Sequence, residues 1–142
     1  MSHQALSDTV LVAQDIAPQV ASANVNGTTF DMQGWDGIQY EFNIGAMASS
    51  ATFDARIVSS ANSNMSGAAN IANAALTQVV ASTGNTNLYL IDVWRPSDRY
   101  VRSATQPATA NVTFGSVATR YRRSGILPPT QAALQQVKVA VN

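Results

Sequence analysis

Apolar residues recur at every second position through most of this chain, and that period decides what it can fold into. In Thr9-Val10-Leu11-Val12, Ile38-Gln39-Tyr40-Glu41-Phe42-Asn43-Ile44 and Thr52-Phe53-Asp54-Ala55-Arg56-Ile57-Val58, apolar side chains recur mainly with period two. Successive side chains of a strand point to opposite faces, so such segments read as half-buried antiparallel strands. Further strands are predicted at Asn87 to Trp94, Arg99 to Arg102 and Asn111 to Tyr121, with Asn26-Gly27, Gly84-Asn85 and Pro96-Ser97-Asp98 as turns between strands. Short strands at this spacing predict an all-β fold, a β-sandwich or a barrel; of the two we expect a single antiparallel β-sandwich of jelly-roll-like type. Its core is expected to draw on Trp35, Tyr40, Phe42, Ile57, Leu90, Tyr100, Val101, Val112 and Phe114.

Two segments depart from the alternation. Met65 to Val80 is rich in Ala and Asn, with Ile71, Leu76, Val79 and Val80 as its large apolar groups, and reads as a loop with a helical turn. After Pro128-Pro129, Thr130 is a suitable N-cap for a short amphipathic helix that puts Leu134, Val137 and Val141 on one face. The expected organisation is an N-terminal arm over residues 1–14, a sandwich domain over 15–127, and a C-terminal tail or helix over 128–142. Val10 and Val12 in the arm, and Leu134 and Val137 in the tail, are candidate contacts with sister subunits or another protein surface.

Chain length allows one such domain: 142 residues suit a single core. Charged residues make up only 11%, whereas Ala, Ser, Thr and Asn supply 60 positions, so the polar surface is mostly uncharged. Eight basic and eight acidic groups cancel, which argues against direct nucleic-acid binding. The absence of cysteine excludes disulfides, thiol nucleophiles and cysteine-held metals. No apolar run reaches the length of a membrane span, so no membrane association is expected, and Met1 to Asp8 lacks the pattern of a secretory signal. The charge is nevertheless uneven. Residues 1–55 hold six acids and no Lys or Arg, while residues 95–142 hold seven cations against Asp98. Either the two halves neutralise each other within one protomer, or Arg120, Arg122 and Arg123 are offered to a carboxylate-bearing partner.

Catalytic groups are sparse. His3 is the single imidazole and stands near the terminus, where no third group would orient it. No HExxH, phosphate-binding glycine loop or GxSxG is present, and Asp31 and Asp36 read as turn-capping residues beside Gly34-Trp35 rather than as a glycosidase pair. Asp15, Asp31, Asp36 and Asp54 do not follow the alternating pattern of a calcium loop. Trp35 and Trp94 with Tyr40, Tyr89 and Tyr100 could stack on sugars, but inward aromatics of alternating strands ordinarily fill a core. No enzyme, cofactor or metal site is expected.

The order of several features resembles the capsid decoration proteins, also called cement or head-stabilising proteins, of tailed bacteriophages. The matching elements are Asp15-Ile16-Ala17-Pro18, Asn26-Gly27, Gly34-Trp35-Asp36-Gly37 and Ile38 to Gly45. They continue with Thr52 to Ser63, Ala68 to Leu76, Asp98-Arg99-Tyr100-Val101-Arg102, Val112 to Tyr121 and Pro128-Pro129. The likeness spans residues 10–129 and rests on order and spacing; Ser60-Ala61-Asn62-Ser63 stands where that family has a Ser-Asp-Gly turn. The resemblance implies a structural virion protein on the outer surface of the capsid, made in the host cytoplasm. Its implied partners are the major capsid protein and its own copies, as a homotrimer. The alternatives are a head–tail connector or tail component, or a carbohydrate-binding module on the virion.

Overall fold

The structure is a computed structural model that describes residues 5–122. After a 3-10 turn at Leu6–Asp8 come β1 (Val10–Ala21), β2 (Val25–Asn26), β3 (Phe30–Asp31), β4 (Gly37–Met47) and β5 (Thr52–Ser60). Then follow β6 (Ala69–Ala75), β7 (Val79–Val80), a helical turn α1 (Ala81–Gly84), β8 (Asn87–Trp94), β9 (Tyr100–Ala108) and β10 (Val112–Tyr121). One sheet has the order β1-β10-β4-β8 and the other β2-β9-β5-β6, with β3 also paired to β9 and β7 to β5. All these pairings are antiparallel. Long strands that alternate between two sheets in this order make a jelly roll, so the all-β sandwich expected from the alternation is what forms.

Alternation fixes the faces. On β4 the inward set is Ile38, Tyr40, Phe42 and Ile44; on β10 it includes Val112, Phe114, Ser116 and Ala118; on β5 Phe53, Ala55 and Ile57 are buried. Their rings form a continuous chain through the core. Phe30 meets Tyr40 edge-on with centroids 6.2 Å apart, Tyr40 stacks on Phe42, and Phe42 reaches Phe53 across the sandwich. Phe53 meets Phe114 at 4.9 Å. Offset and edge-on contacts of this kind suit the quadrupoles of the rings and hold the two sheets face to face.

Several expectations change. Leu90 is not in the core: it is 51% exposed, and Ile91 and Val93 are the buried residues of β8. Leu88-Tyr89-Leu90-Ile91 is apolar at both parities, so alternation could not choose its inward face. Trp35 and Tyr100 are half-buried rather than buried. Part of the Met65 to Val80 segment is strand rather than loop, since β6 and β7 both pair with β5 and the helical turn comes after them. Its Ala and Asn residues carry little strand propensity of their own; pairing to the central β5 overrides that preference. β1 runs without interruption across residue 14, so the expected arm and domain meet inside one strand.

Asp15 turns its side chain from β1 into the space between the sheets, where register shifts flank it and Ile16. Its Oδ2 accepts hydrogen bonds from Ser103 Oγ of β9 at 2.6 Å and Ser116 Oγ of β10 at 2.7 Å. Its Oδ1 accepts from the Thr28 backbone N–H at 2.9 Å. One carboxylate thereby joins three strands and a turn belonging to both sheets. Gly27 makes room for it, because a Cβ there would lie 2.0 Å from Asp15 Oδ1 and 2.2 Å from Ser103 Oγ. Burial pushes the Asp15 carboxyl above its ordinary range, against the pull of those three donors. Asp31 is the opposite case: the Arg99 guanidinium fork holds its carboxyl below that range.

Two predictions follow from this packing. Phe114→Ala, at a ring 2% exposed, should lower the unfolding free energy by about 3–5 kcal/mol in urea titration. Asp15→Ala leaves the Ser103 and Ser116 hydroxyls without their acceptor, while the Thr28 N–H keeps the residue-15 carbonyl, and should cost about 1–3 kcal/mol for each hydroxyl. Asp15→Asn should cost less, and it isolates the titration. A carboxyl whose folded pKa is raised contributes stability that is fully present below its unfolded pKa and is lost as pH rises through the folded value. Wild type should therefore gain on Asp15→Asn as pH falls from 7 toward 4; a difference independent of pH would mean that Asp15 is not desolvated.

Candidate functional site

The outer faces of the two sheets differ in chemistry. On the β2-β9-β5-β6 sheet, polar groups pair with each other: Arg56 Nη1 donates to Gln106 Oε1 at 2.9 Å, and Gln78 Nε2 donates to Asp54 Oδ2 at 2.9 Å. On the β1-β10-β4-β8 sheet, the register places outward residues in transverse rows. Val117, Glu41 and Leu90 form one row, Gly115, Asn43 and Leu88 the next, and Tyr121, Gly37 and Trp94 the row at the far end. Leu88 is 59% and Trp94 47% exposed. Of the seven exposed large hydrophobics among the described residues, Val80 alone belongs to the other sheet; Leu6, Val20, Leu88, Leu90, Trp94 and Val117 lie on or beside this face. These side chains stand among Glu41, Asn43, Gln39, Asp92 and Thr119, so the face is mixed in chemistry but carries most of the exposed large apolar groups of the described residues. Two grooves cross it, one of about 490 Å³ lined by Leu6, Val10, Val12 and Val117 among others, and one of about 350 Å³ beside Leu88 and Pro18.

At the far end of this face, strand ends and loops converge. Gly37 opens β4, and its missing side chain is filled by the Tyr121 ring, which a Cβ would meet at 2.2 Å. Tyr121 stacks on Trp94 with centroids 6.0 Å apart and donates its hydroxyl hydrogen to Asp92 Oδ1. Burial, reinforced by that acid, pushes the phenol up to about 12. Arg95 and Arg122 lie with their guanidinium carbons 5.2 and 5.1 Å from the Trp94 ring centroid, and each approaches Asp36 at 3.9 Å. Beside them a cleft of about 540 Å³ is lined by Met32, Gln33, Trp35, Asp36 and residues 95–99.

The candidate contact residues fall in different places. Val10 is buried and Val12 half-buried, both on the wall of the 490 Å³ groove. Arg120 is half-buried: its Nη1 donates to the Asp31 carbonyl at 2.9 Å, and its guanidinium lies over the rings of Phe30 and Trp35. It shares the parity of Ser116 and Ala118 on β10, which points it inward onto groups of its own protomer. Arg122 is exposed at the Trp94 corner. Arg123, Leu134 and Val137 lie outside the described residues. The acids weighed as a metal or catalytic set stand apart, each with its own partner: Asp15 with serines, Asp31 with Arg99 and the Gln33 N–H, Asp36 with two arginines, Asp54 with Gln78. The Trp94 ring, with Tyr121 and two guanidiniums against it, is already in contact where a sugar would stack.

The corner formed by Asp36, Trp94, Arg95 and Tyr121 was not singled out by sequence reasoning as a unit. Its one legible sign was Gly37 beside Asp36 at a strand entrance, a place where a strand glycine marks close approach of another group.

No protein-family model matches the chain, and no curated protein matches it. Among solved structures it is similar to the PBSX exported protein XepA, with a TM-score of 0.59 over 98% of this chain at 14% sequence identity. The chain spans 46% of the length of that structure, so the whole β-sandwich corresponds to under half of the longer protein, and what the two share is the fold.

Proposed function

We propose that this chain is a non-catalytic structural protein of a tailed-phage particle that decorates the outside of the capsid and stabilises it through the major capsid protein. The observation that carries this reading is the contrast between its two outer faces: one sheet exposes Leu88, Leu90, Trp94 and Val117, while the other pairs its polar groups internally. A sandwich with one adhesive face suits a protein that lies on a flat surface. The fold shared with a phage exported protein supports a phage setting, and the order of motifs along residues 10–129 supports decoration within it.

The energetics of the role need no chemistry at a reactive centre. A protein that binds the assembled shell and not its separated subunits shifts the equilibrium toward assembly. Ala, Ser, Thr and Asn lose little side-chain entropy when a surface made of them is covered. As a homotrimer the chain would engage three footprints together, with avidity about 10²–10⁴ beyond one contact.

Copy number decides between this reading and a connector. Quantitative mass spectrometry of purified virions should find the chain at a ratio to the major capsid protein near one, or a large fraction of one. On the order of a dozen copies or fewer per particle, as a single ring would need, would contradict decoration and favour a connector or tail component.

A further inference from the structure

We propose that Arg95 and Arg122, held against the ring of Trp94, form a clamp for a carboxylate on a protein partner, with Asp36 of the same chain lying in the clamp when that partner is absent. The proposal rests on the capsid-decoration reading and names the chemistry by which the exposed face would find its place on the shell.

The backbone builds the clamp symmetrically around Asp36. The Asp36 N–H donates to the Tyr121 carbonyl at 3.2 Å, and the Asp36 carbonyl accepts from the Arg95 N–H at 2.7 Å. The ends of β10 and β8 are thereby fastened to the two sides of the β4 entrance, and each delivers one arginine. Arg95 Nε stands 3.9 Å from Asp36 Oδ1 and Arg122 Nε 3.9 Å from Oδ2. At that separation neither contact is a hydrogen bond. Neither guanidinium has another acceptor among the described residues, and their side chains are 68% and 69% exposed. Three other arginines are held tightly: Arg99 grips Asp31 with two hydrogen bonds of 2.9 and 2.8 Å, Arg56 donates to Gln106, and Arg120 to the Asp31 carbonyl.

Both residues stand just past a strand end with a left-handed backbone, φ +50° at Arg95 and +54° at Arg122, as Met65, Asn73, Thr86 and Thr109 also have elsewhere in the domain. That backbone costs free energy at a residue other than glycine, so glycine in place of either arginine would relieve it. The ring of Trp94 supplies the remaining part. A guanidinium lying on an aromatic face keeps its in-plane N–H donors available for the fork-like grip on a carboxylate.

The surroundings select the occupant. Two guanidiniums share Asp36 without a hydrogen bond to it, and Asp92, the other acid at this corner, accepts the Tyr121 hydroxyl hydrogen, so both forks keep donors open to a second carboxylate. Leu90 and Leu88 continue the same side of β8 beyond Asp92, so the partner's apolar side chains lie past its acid along the strand. A phosphate polymer would require a longer cationic track than this and would leave the leucines uncovered. An acidic side chain flanked by apolar ones on a protein surface meets both conditions.

The test uses the full chain and capsids of the cognate phage assembled without it. The double variant Arg95→Gly with Arg122→Gly removes both forks and relieves both strained residues, so its melting temperature should equal or exceed that of wild type. Its affinity for the capsids should fall about ten- to a hundredfold at low salt, and the gap should narrow as salt screens the pair. The pair Arg95→Lys with Arg122→Lys keeps the charge without the fork and should recover only part of the loss. Capsid binding of the glycine variant equal to wild type would overturn the clamp, and so would a loss of binding that merely follows a fall in melting temperature. A change in oligomer mass with capsid affinity intact would also overturn it, by making a second copy the occupant. Wild type that fails to bind the capsids would overturn the decoration reading and the clamp's partner with it.

Discussion

Asp15 sets a carboxylate between the two sheets, and because Ser103 donates to it from one sheet and Ser116 from the other, their relative placement depends on a single side chain. Hydrophobic contact alone is non-directional: the ring chain from Phe30 to Phe114 holds the sheets together but tolerates sliding. The carboxylate adds direction. A half-satisfied buried acid is costly, so the alignment in which all three donors reach it is favoured over neighbouring ones. Gly27 belongs to the same device, since its bare Cα lets the turn that brings the Thr28 N–H approach the acid. The desolvation of Asp15 is the cost of that specificity, and it makes the interior of the sandwich sensitive to pH in the sense opposite to the exposed Asp31–Arg99 pair.

Much of the fold was legible because an antiparallel sandwich writes its period into the chain. β8 was located at its observed bounds, and β4, β5 and β10 to within a few residues. Where the period is ambiguous the reading failed for a physical reason. Both parities of Leu88 to Ile91 are apolar, because β8 covers the core with one side and exposes Leu88 and Leu90 on the other, so alternation could not place Leu90. β6 was missed because Ala and Asn have weak strand preference and only its pairing with β5 makes it extend. Asp15 could be read as a turn or a ligand from sequence, since nothing local shows that residues 88 and 101 positions away along the chain will donate to it.

The Trp94 corner was illegible for the same reason. Asp36, Arg95 and Arg122 come from three separate stretches, and they meet only because β4 lies between β10 and β8. The excess of cations in the C-terminal part of the chain did signal that arginines matter, yet Arg120 and Arg122, two residues apart, have different tasks. Arg120 points inward and ties β10 to the Asp31 carbonyl; Arg122 lies past the strand end against an exposed ring. Charge counts cannot separate them, and strand parity would put both on one face; they diverge because β10 ends at Tyr121 and the chain turns at Arg122, φ +54°.

The jelly roll supplies a stiff two-layer plate whose outer faces are free to diverge in chemistry, since each is built from the outward half of an alternating pattern. Here one face pairs its polar groups and the other leaves leucines, a tryptophan and loosely held arginines open, which is the asymmetry a surface-seated protein needs. A cryo-electron-microscopy map of the intact particle tests this most directly. Capsid decoration predicts density for the sandwich repeated over the outside of the shell, with the β1-β10-β4-β8 face and its Trp94 end against the capsid protein. Density confined to the portal vertex or tail, or a sandwich seated by its other sheet with Trp94 facing solvent, would contradict it.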